Sequence, residues 1–224
     1  MPPFVSLSDP RVAALPVREC DEPLVDLRGI PAIRVDGRLA DGLGAYAHVR
    51  LSVADRLIAA QRLLPGGLRL LVVEGFRPKA VQERYFASIA SRIALANADW
   101  SIDRVRAEAA TFVSPPGVAP HVTGGAVDLT LCSADGAELP MGSEVNATPP
   151  EHGTECFTAS TLIGTEARAN RRTLIDAMST TGFANYPSEW WHWSYGDRYW
   201  AIVTGPAHAR YGPATLDPAG TDVS

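Results

Sequence analysis

An aspartate stands inside an apolar run, Ala126–Leu131 (AVDLTL), and it limits the possible folds more than any other single residue. Alternation of side chains around Asp128 is a strand pattern in which one residue has the wrong polarity for a core. A buried carboxylate is costly unless it meets a cation, a metal or directed hydrogen-bond donors. The sheet that takes up this strand must therefore carry a compensating group to Asp128. An Arg or a backbone amide would serve as well as a metal.

The neighbouring segments read as a mixed α+β chain. Leu51, Ala54, Leu57, Ile58 and Leu64 recur at helical spacing, giving a helix from Arg50 to Leu64 that Pro65-Gly66-Gly67 stops. Leu68–Glu74 (LRLLVVE) is a buried strand by its β-formers, and Gly75-Phe76-Arg77-Pro78 after it is a turn expected to expose Arg77. Val81, Tyr85, Ile89 and Ile93, spaced by four, mark a helix from Lys79 to Asn97. Ser101 is placed to N-cap another, Ile102–Phe112. A loop of little periodicity spans roughly 132–160, followed by a helix over Thr165–Thr180. Strands are expected at Glu189–Tyr195 and Trp200–Thr204. No βαβ rhythm runs through this order. One domain accommodates the 224 residues: a Pro- and Gly-rich wrapping arm with short strands (1–46), a core (47–205) and a tail (206–224).

Composition removes several classes of function. A formal net charge of −5 with no Lys/Arg run gives no footprint for nucleic acid, so a small molecule is the expected partner. Cys20, Cys132 and Cys156 form no Cys-x-x-Cys pair, and their odd number argues against a disulfide framework. The first twenty residues lack the apolar centre of a signal peptide, and no run of eighteen apolar residues occurs, so no membrane span is expected. A cytoplasmic location is the expectation.

Chemistry concentrates in two segments. His121 lies in PHVTGG, seven residues before Asp128, and Gly124-Gly125 lets the loop fold back toward the strand. Glu189-Trp190-Trp191-His192 offers a second His with a carboxylate three residues earlier. Two His, one Asp and a free Glu are what a hydrolytic zinc site needs, with an open position for water. Zinc brings that water's pKa toward neutrality, and Glu189 is the candidate base for its proton. Arg77 is the candidate for stabilising the oxyanion of the tetrahedral intermediate. Residues i and i+3 of a regular strand face opposite ways, so Glu189 and His192 converge only if Glu189 precedes the strand or a bulge intervenes. Each signal has a plainer reading: a solvated loop His, a surface Arg, and Trp190, Trp191 and Trp193 as core.

Taken together the segments resemble the D-alanyl-D-alanine dipeptidases of the vancomycin-resistance type, within the zinc D,D-peptidases that share a fold with the hedgehog signalling domain. The residues that carry the resemblance are Ala119-Pro120-His121-Val122-Thr123-Gly124-Gly125-Ala126-Val127-Asp128, Glu189-Trp190-Trp191-His192, and Glu74-Gly75-Phe76-Arg77-Pro78 with Val81-Gln82. The resemblance implies a central antiparallel sheet flanked by helices and one zinc held by His121, Asp128 and His192. It further implies Glu189 as general base and acid, Arg77 as transition-state stabiliser, and a small D,D-dipeptide as substrate. Ala119, Asn146 and Trp191 are the implied substrate-binding positions. Two departures stand out: Ala119 replaces the family's usual Ser, and Asn146, in Met141-Gly142-Ser143-Glu144-Val145-Asn146, replaces an Asp. Both weaken the expected hold on a free ammonium group, for which Glu144 or Glu151 would have to compensate. A D,D-carboxypeptidase or peptidoglycan endopeptidase, and a zinc-stabilised binding domain without catalysis, are the alternatives. A structural metal site would need neither Glu189 nor Arg77.

Overall fold

A computed structural model describes residues 5–147 and 153–216; Glu151 lies outside them. In chain order the elements are α1 (Pro10–Ala14), β1 (Leu24–Asp26), β2 (Arg34–Val35), β3 (His48–Arg50), α2 (Leu51–Leu63), β4 (Leu68–Glu74), α3 (Lys79–Ala96), α4 (Ile102–Phe112), β5 (Ala126–Ser133), α5 (Thr165–Thr180), β6 (Ala184–Tyr186), β7 (Glu189–Ser194) and α6 (Arg198–Thr204). A five-stranded sheet runs β2-β4-β5-β7-β6, and β1 pairs with β3 apart from it. Every pairing in the main sheet is antiparallel except β2 with β4. The architecture is α+β.

Alternation along β5 divides the sheet's two faces. Val127, Leu129 and Leu131 join Leu70 and Val72 of β4 in a core closed by Val53, Ala54 and Leu57 of α2 and Leu174, Ala177 and Met178 of α5. Burial of each Val, Leu or Met side chain among them stabilises the fold by about 1.5–3 kcal/mol. With the apolar residues of β5 committed to that face, Asp128 and Thr130 must take the other. Register then sets Asp128 opposite Glu74 of β4 on one side and His192 of β7 on the other. Three polar residues from three strands thus form one row across the sheet.

One helix, α3, holds less of the core than its pattern suggests. The stripe Val81, Tyr85, Ile89, Ile93 of α3 is not buried; Gln82 is the residue of that helix that is. Tyr85 is 48% exposed, and α3 packs chiefly on α4. Ser101 does cap α4, accepting from the Arg104 N–H at 3.3 Å.

Trp200–Thr204, expected as a strand, is helical. Gly196, at φ +75°, turns the chain out of β7, and Asp197 caps α6 by accepting the Trp200 N–H at 2.8 Å. The apolar run Trp200-Ala201-Ile202-Val203 is too short for periodicity to separate helix from strand, and the cap decides. Among the described residues no helix is long and apolar enough to cross a membrane.

Candidate metal centre

His121 rides on a single 3-10 turn, Pro120–Thr123, with Pro120 fixing its entry. Thr123 ties the turn together: its Oγ1 donates to the Pro120 carbonyl at 2.7 Å and accepts the Gly125 N–H at 3.0 Å. Gly124 ends the turn at φ +70°, where a Cβ would also lie 2.4 Å from Leu24 Cδ2. The chain leaving this turn becomes β5, so His121 is delivered beside Asp128 by a reversal that glycine takes without strain. Behind the ring, Nδ1 bonds the Gly75 carbonyl at 2.8 Å. Gly75 itself is wedged against β3, where a Cβ would meet the His48 carbonyl oxygen at 2.4 Å.

Three donor atoms converge. His121 Nε2 lies 3.2 Å from His192 Nδ1, His192 Nδ1 lies 3.0 Å from Asp128 Oδ1, and His121 Nε2 lies 3.3 Å from the same oxygen. All three residues are buried. Among the described residues they form a set with the separations that a metal requires. Zinc–nitrogen and zinc–oxygen bonds of about 2.0–2.2 Å at tetrahedral angles place donors about 3.3 Å apart, close to the edges of this triangle. The donor chemistry, two imidazoles and a carboxylate, is that of a catalytic zinc site. Burial alone would push the Asp128 carboxyl up, but His121 and His192 outweigh it and hold the group well below the usual carboxylate range. Burial would likewise lower the His121 imidazole, and Asp128 outweighs that to raise it. Asp128 is thus a carboxylate facing two nitrogens, not an Arg.

Glu189 opens β7, and the pairing with β6 slips there: Tyr186 faces Glu189 while Asn185 faces Trp193. Asn185 spans the slip by donating from Nδ2 to the carbonyls of Glu189 and His192 at 3.1 and 3.0 Å. The irregularity frees Glu189 from strict alternation. Its carboxyl is raised by burial, and it feels His192, Asp128, His121 and Arg77 electrostatically.

Arg77 is not exposed as its turn suggested. Its side chain is 14% exposed, because β4 supplies a buried carboxylate for it. Arg77 Nε donates to Glu74 Oε1 at 2.7 Å, Nη2 pairs with Oε2, and Nη1 donates to Gln82 at 2.7 Å. Burial works against the charged guanidinium, and Glu74 more than restores it. The Arg77 N–H also bonds the His121 carbonyl at 3.1 Å, linking this segment to the metal-bearing turn. Gln82, the buried residue of α3, is held by the Ser114 carbonyl at 2.7 Å.

The three substrate positions separate. Ala119 is buried at the start of the 3-10 turn. Asn146 is exposed and left-handed at φ +65°, a conformation Asn tolerates. Trp191 is buried in the main core, edge-on to Trp190 at 5.5 Å, and the described contacts do not bring it to the three donors. Met141–Val145 instead line a cavity of about 400 Å³ together with Thr130 and Trp190. Ser143 accepts the Trp190 indole N–H at 2.9 Å, and Arg171 donates to the Met141 carbonyl at 2.7 Å. Thr130, two residues beyond Asp128, has a buried hydroxyl without a partner. Sequence reasoning missed Thr130, and it named Glu74 and Gln82 only within the Arg77 segment, without their supporting role. For Glu74 the available signal was a carboxylate ending an apolar strand.

The family described as D-ala-D-ala dipeptidase (peptidase M15) matches residues 43–208. A D-alanyl-D-alanine dipeptidase of Synechocystis sp. is 30% identical over 223 residues, covering 87% of this chain and 90% of the relative. A D-alanyl-D-alanine dipeptidase of Enterococcus faecium is 30% identical over 150 residues, 65% of this chain and 71% of the relative. Among solved structures, the LdcB LD-carboxypeptidase superposes with a TM-score of 0.47 at 20% identity, over 86% of this chain and 76% of that one. A vancomycin-resistance D,D-pentapeptidase, VanY, in complex with Zn(II) gives 0.44 at 16% identity, over 87% and 90%.

Proposed function

The chain belongs to the D-ala-D-ala dipeptidase family of zinc metallopeptidases, and from that premise we propose that it hydrolyses a small D,D-dipeptide at the centre formed by His121, Asp128 and His192. The observation that carries the reading is the buried triangle of donors at 3.0–3.3 Å. Zinc held there would polarise the scissile carbonyl and acidify water.

The chain's own groups supply the rest. Glu189, whose carboxyl burial shifts upward, accepts the proton of the attacking water and returns it to the leaving amine. Arg77 faces the oxyanion that develops on the carbonyl oxygen, its fork held in place by Glu74 and Gln82. The cavity over Thr130, Ser143, Glu144 and Trp190 lies along the same strands as the donors and is the place for the remainder of the substrate.

Two experiments test these roles. Arg77→Ala is expected to lower kcat about a hundredfold with zinc content unchanged. The substitution strands the buried Glu74 carboxylate, so it is repeated with Glu74→Gln to separate chemistry from folding. An effect confined to KM would make Arg77 a binding residue only. Asn146 directly follows the cavity-lining Val145, and on the family's pattern Asn146→Asp is expected to raise kcat/KM for D-Ala-D-Ala roughly ten- to a hundredfold, since a hydrogen bond to a charged group is worth about 1.5–3 kcal/mol. It should barely alter turnover of an N-acylated D,D-peptide. Should the N-acylated peptide already be the better substrate of the natural enzyme, the carboxypeptidase reading replaces this one.

A further inference from the structure

The two histidines present opposite nitrogens to the centre, and this difference creates a need that His121 meets and His192 must meet otherwise. A neutral imidazole has one N–H. His121 turns Nε2 inward and gives its Nδ1–H to the Gly75 carbonyl. His192 turns Nδ1 inward, so its hydrogen sits on Nε2 and requires an acceptor. The atom in reach is Ser194 Oγ, 3.4 Å away and completely buried.

Three residues beyond Ser194 stands a carboxylate whose cap duty does not account for it. Asp197 is 1% exposed. Its Oδ1 caps α6, but Ser or Asn would cap as well without a buried charge. Its Oδ2 makes no hydrogen bond of ordinary geometry. An idle buried carboxylate oxygen is expensive, which asks for a reason. Burial raises this carboxyl, and among the groups that oppose the rise are the Trp200 N–H and the Ser194 hydroxyl. Ser194 thus has the His192 ring within 3.4 Å and is felt by the Asp197 carboxyl, whose Oδ2 is buried and still open to a donor.

We propose that His192 Nε2–H donates to Ser194 Oγ and that Ser194 donates onward to Asp197, so that the pair fixes the His192 tautomer and presents Nδ1 to the metal. The inference rests on the zinc reading above. Asp197 is then a positioning residue five places beyond the ligand it serves, acting through one hydroxyl. Metal-binding histidines generally have such a partner, whose loss costs roughly ten- to a hundredfold in metal affinity.

The test is zinc affinity, measured by competition with a chromophoric chelator, for the wild type, Ser194→Ala, Asp197→Asn and the double variant. Asn retains the α6 cap through Oδ1 and replaces the charged Oδ2 acceptor by an N–H₂ donor, so the melting temperature of the metal-free protein reports any structural role separately. The expected result is a tenfold or greater loss of affinity in each single variant. The double variant should be no worse than Ser194→Ala, because the groups act in series. Affinity within threefold of wild type in either single variant, or losses that multiply in the double, would overturn the proposal. If Asp197→Asn does not fold, Ser194→Ala decides alone on the same threshold. A wild type that binds no zinc would instead sink the parent reading.

Discussion

Replacing Glu189 by Ala is expected to leave one zinc per chain and to lower kcat by at least about a hundredfold, the lower end of what general-base help contributes. The two halves of this expectation have separate structural grounds. The donor triangle is complete without Glu189, so the metal should stay. The carboxyl nonetheless feels both histidines, Asp128 and Arg77 electrostatically, which supports the proposed role of accepting a proton released at the centre. Because β7 slips against β6 at this residue, the substitution removes no strand alternation on which the core depends. Zinc content by elemental analysis and kcat on D-Ala-D-Ala check it. Loss of zinc would make Glu189 a ligand, and an unchanged kcat would place the base elsewhere. Glu189→Gln, which keeps the shape and removes the basicity, should lose as much as Ala.

What was legible beforehand followed from chemistry that has few alternatives. Asp128 in an apolar strand demanded a partner, and the register that supplies it follows from β5 and β7 both alternating. The buried strand Leu68–Glu74 and the helix Leu51–Leu63 were legible because period and stop signals agreed. The failures came where local pattern and tertiary context separate. Arg77 reads as a turn residue, and only the fold reveals that Glu74 and Gln82 close around it. The stripe on α3 has a helical period but meets no core. Trp200–Thr204 has apolar content but takes its helical form from the Asp197 cap. Short strands such as Ala184–Tyr186 carry too few residues for any period.

Asp128→Asn should reduce zinc affinity by more than the roughly ten- to hundredfold expected for an outer partner, and activity at stoichiometric zinc should fall with it. Asp128 supplies the only formal negative charge in the triangle, and its carboxyl is ionised throughout the neutral range because two imidazoles face it. The amide offers a weaker neutral oxygen, or turns its N–H₂ toward nitrogens that the metal needs. Stability should suffer less than affinity. Stranding a buried charge costs about 3–5 kcal/mol, but the groups left behind are histidines that can shed a proton, so the loss should stay nearer the about 1–3 kcal/mol of an unmade buried hydrogen bond. Chelator competition and thermal melting of the metal-free protein separate the two effects. Zinc affinity within tenfold of wild type would show that the metal, if bound, is held elsewhere. A melting temperature lowered as far as the affinity would show instead that Asp128 serves chiefly to hold β5 and β7 together. The ordering Asp128→Asn beyond Asp197→Asn beyond wild type is what a ligand and its distant support require.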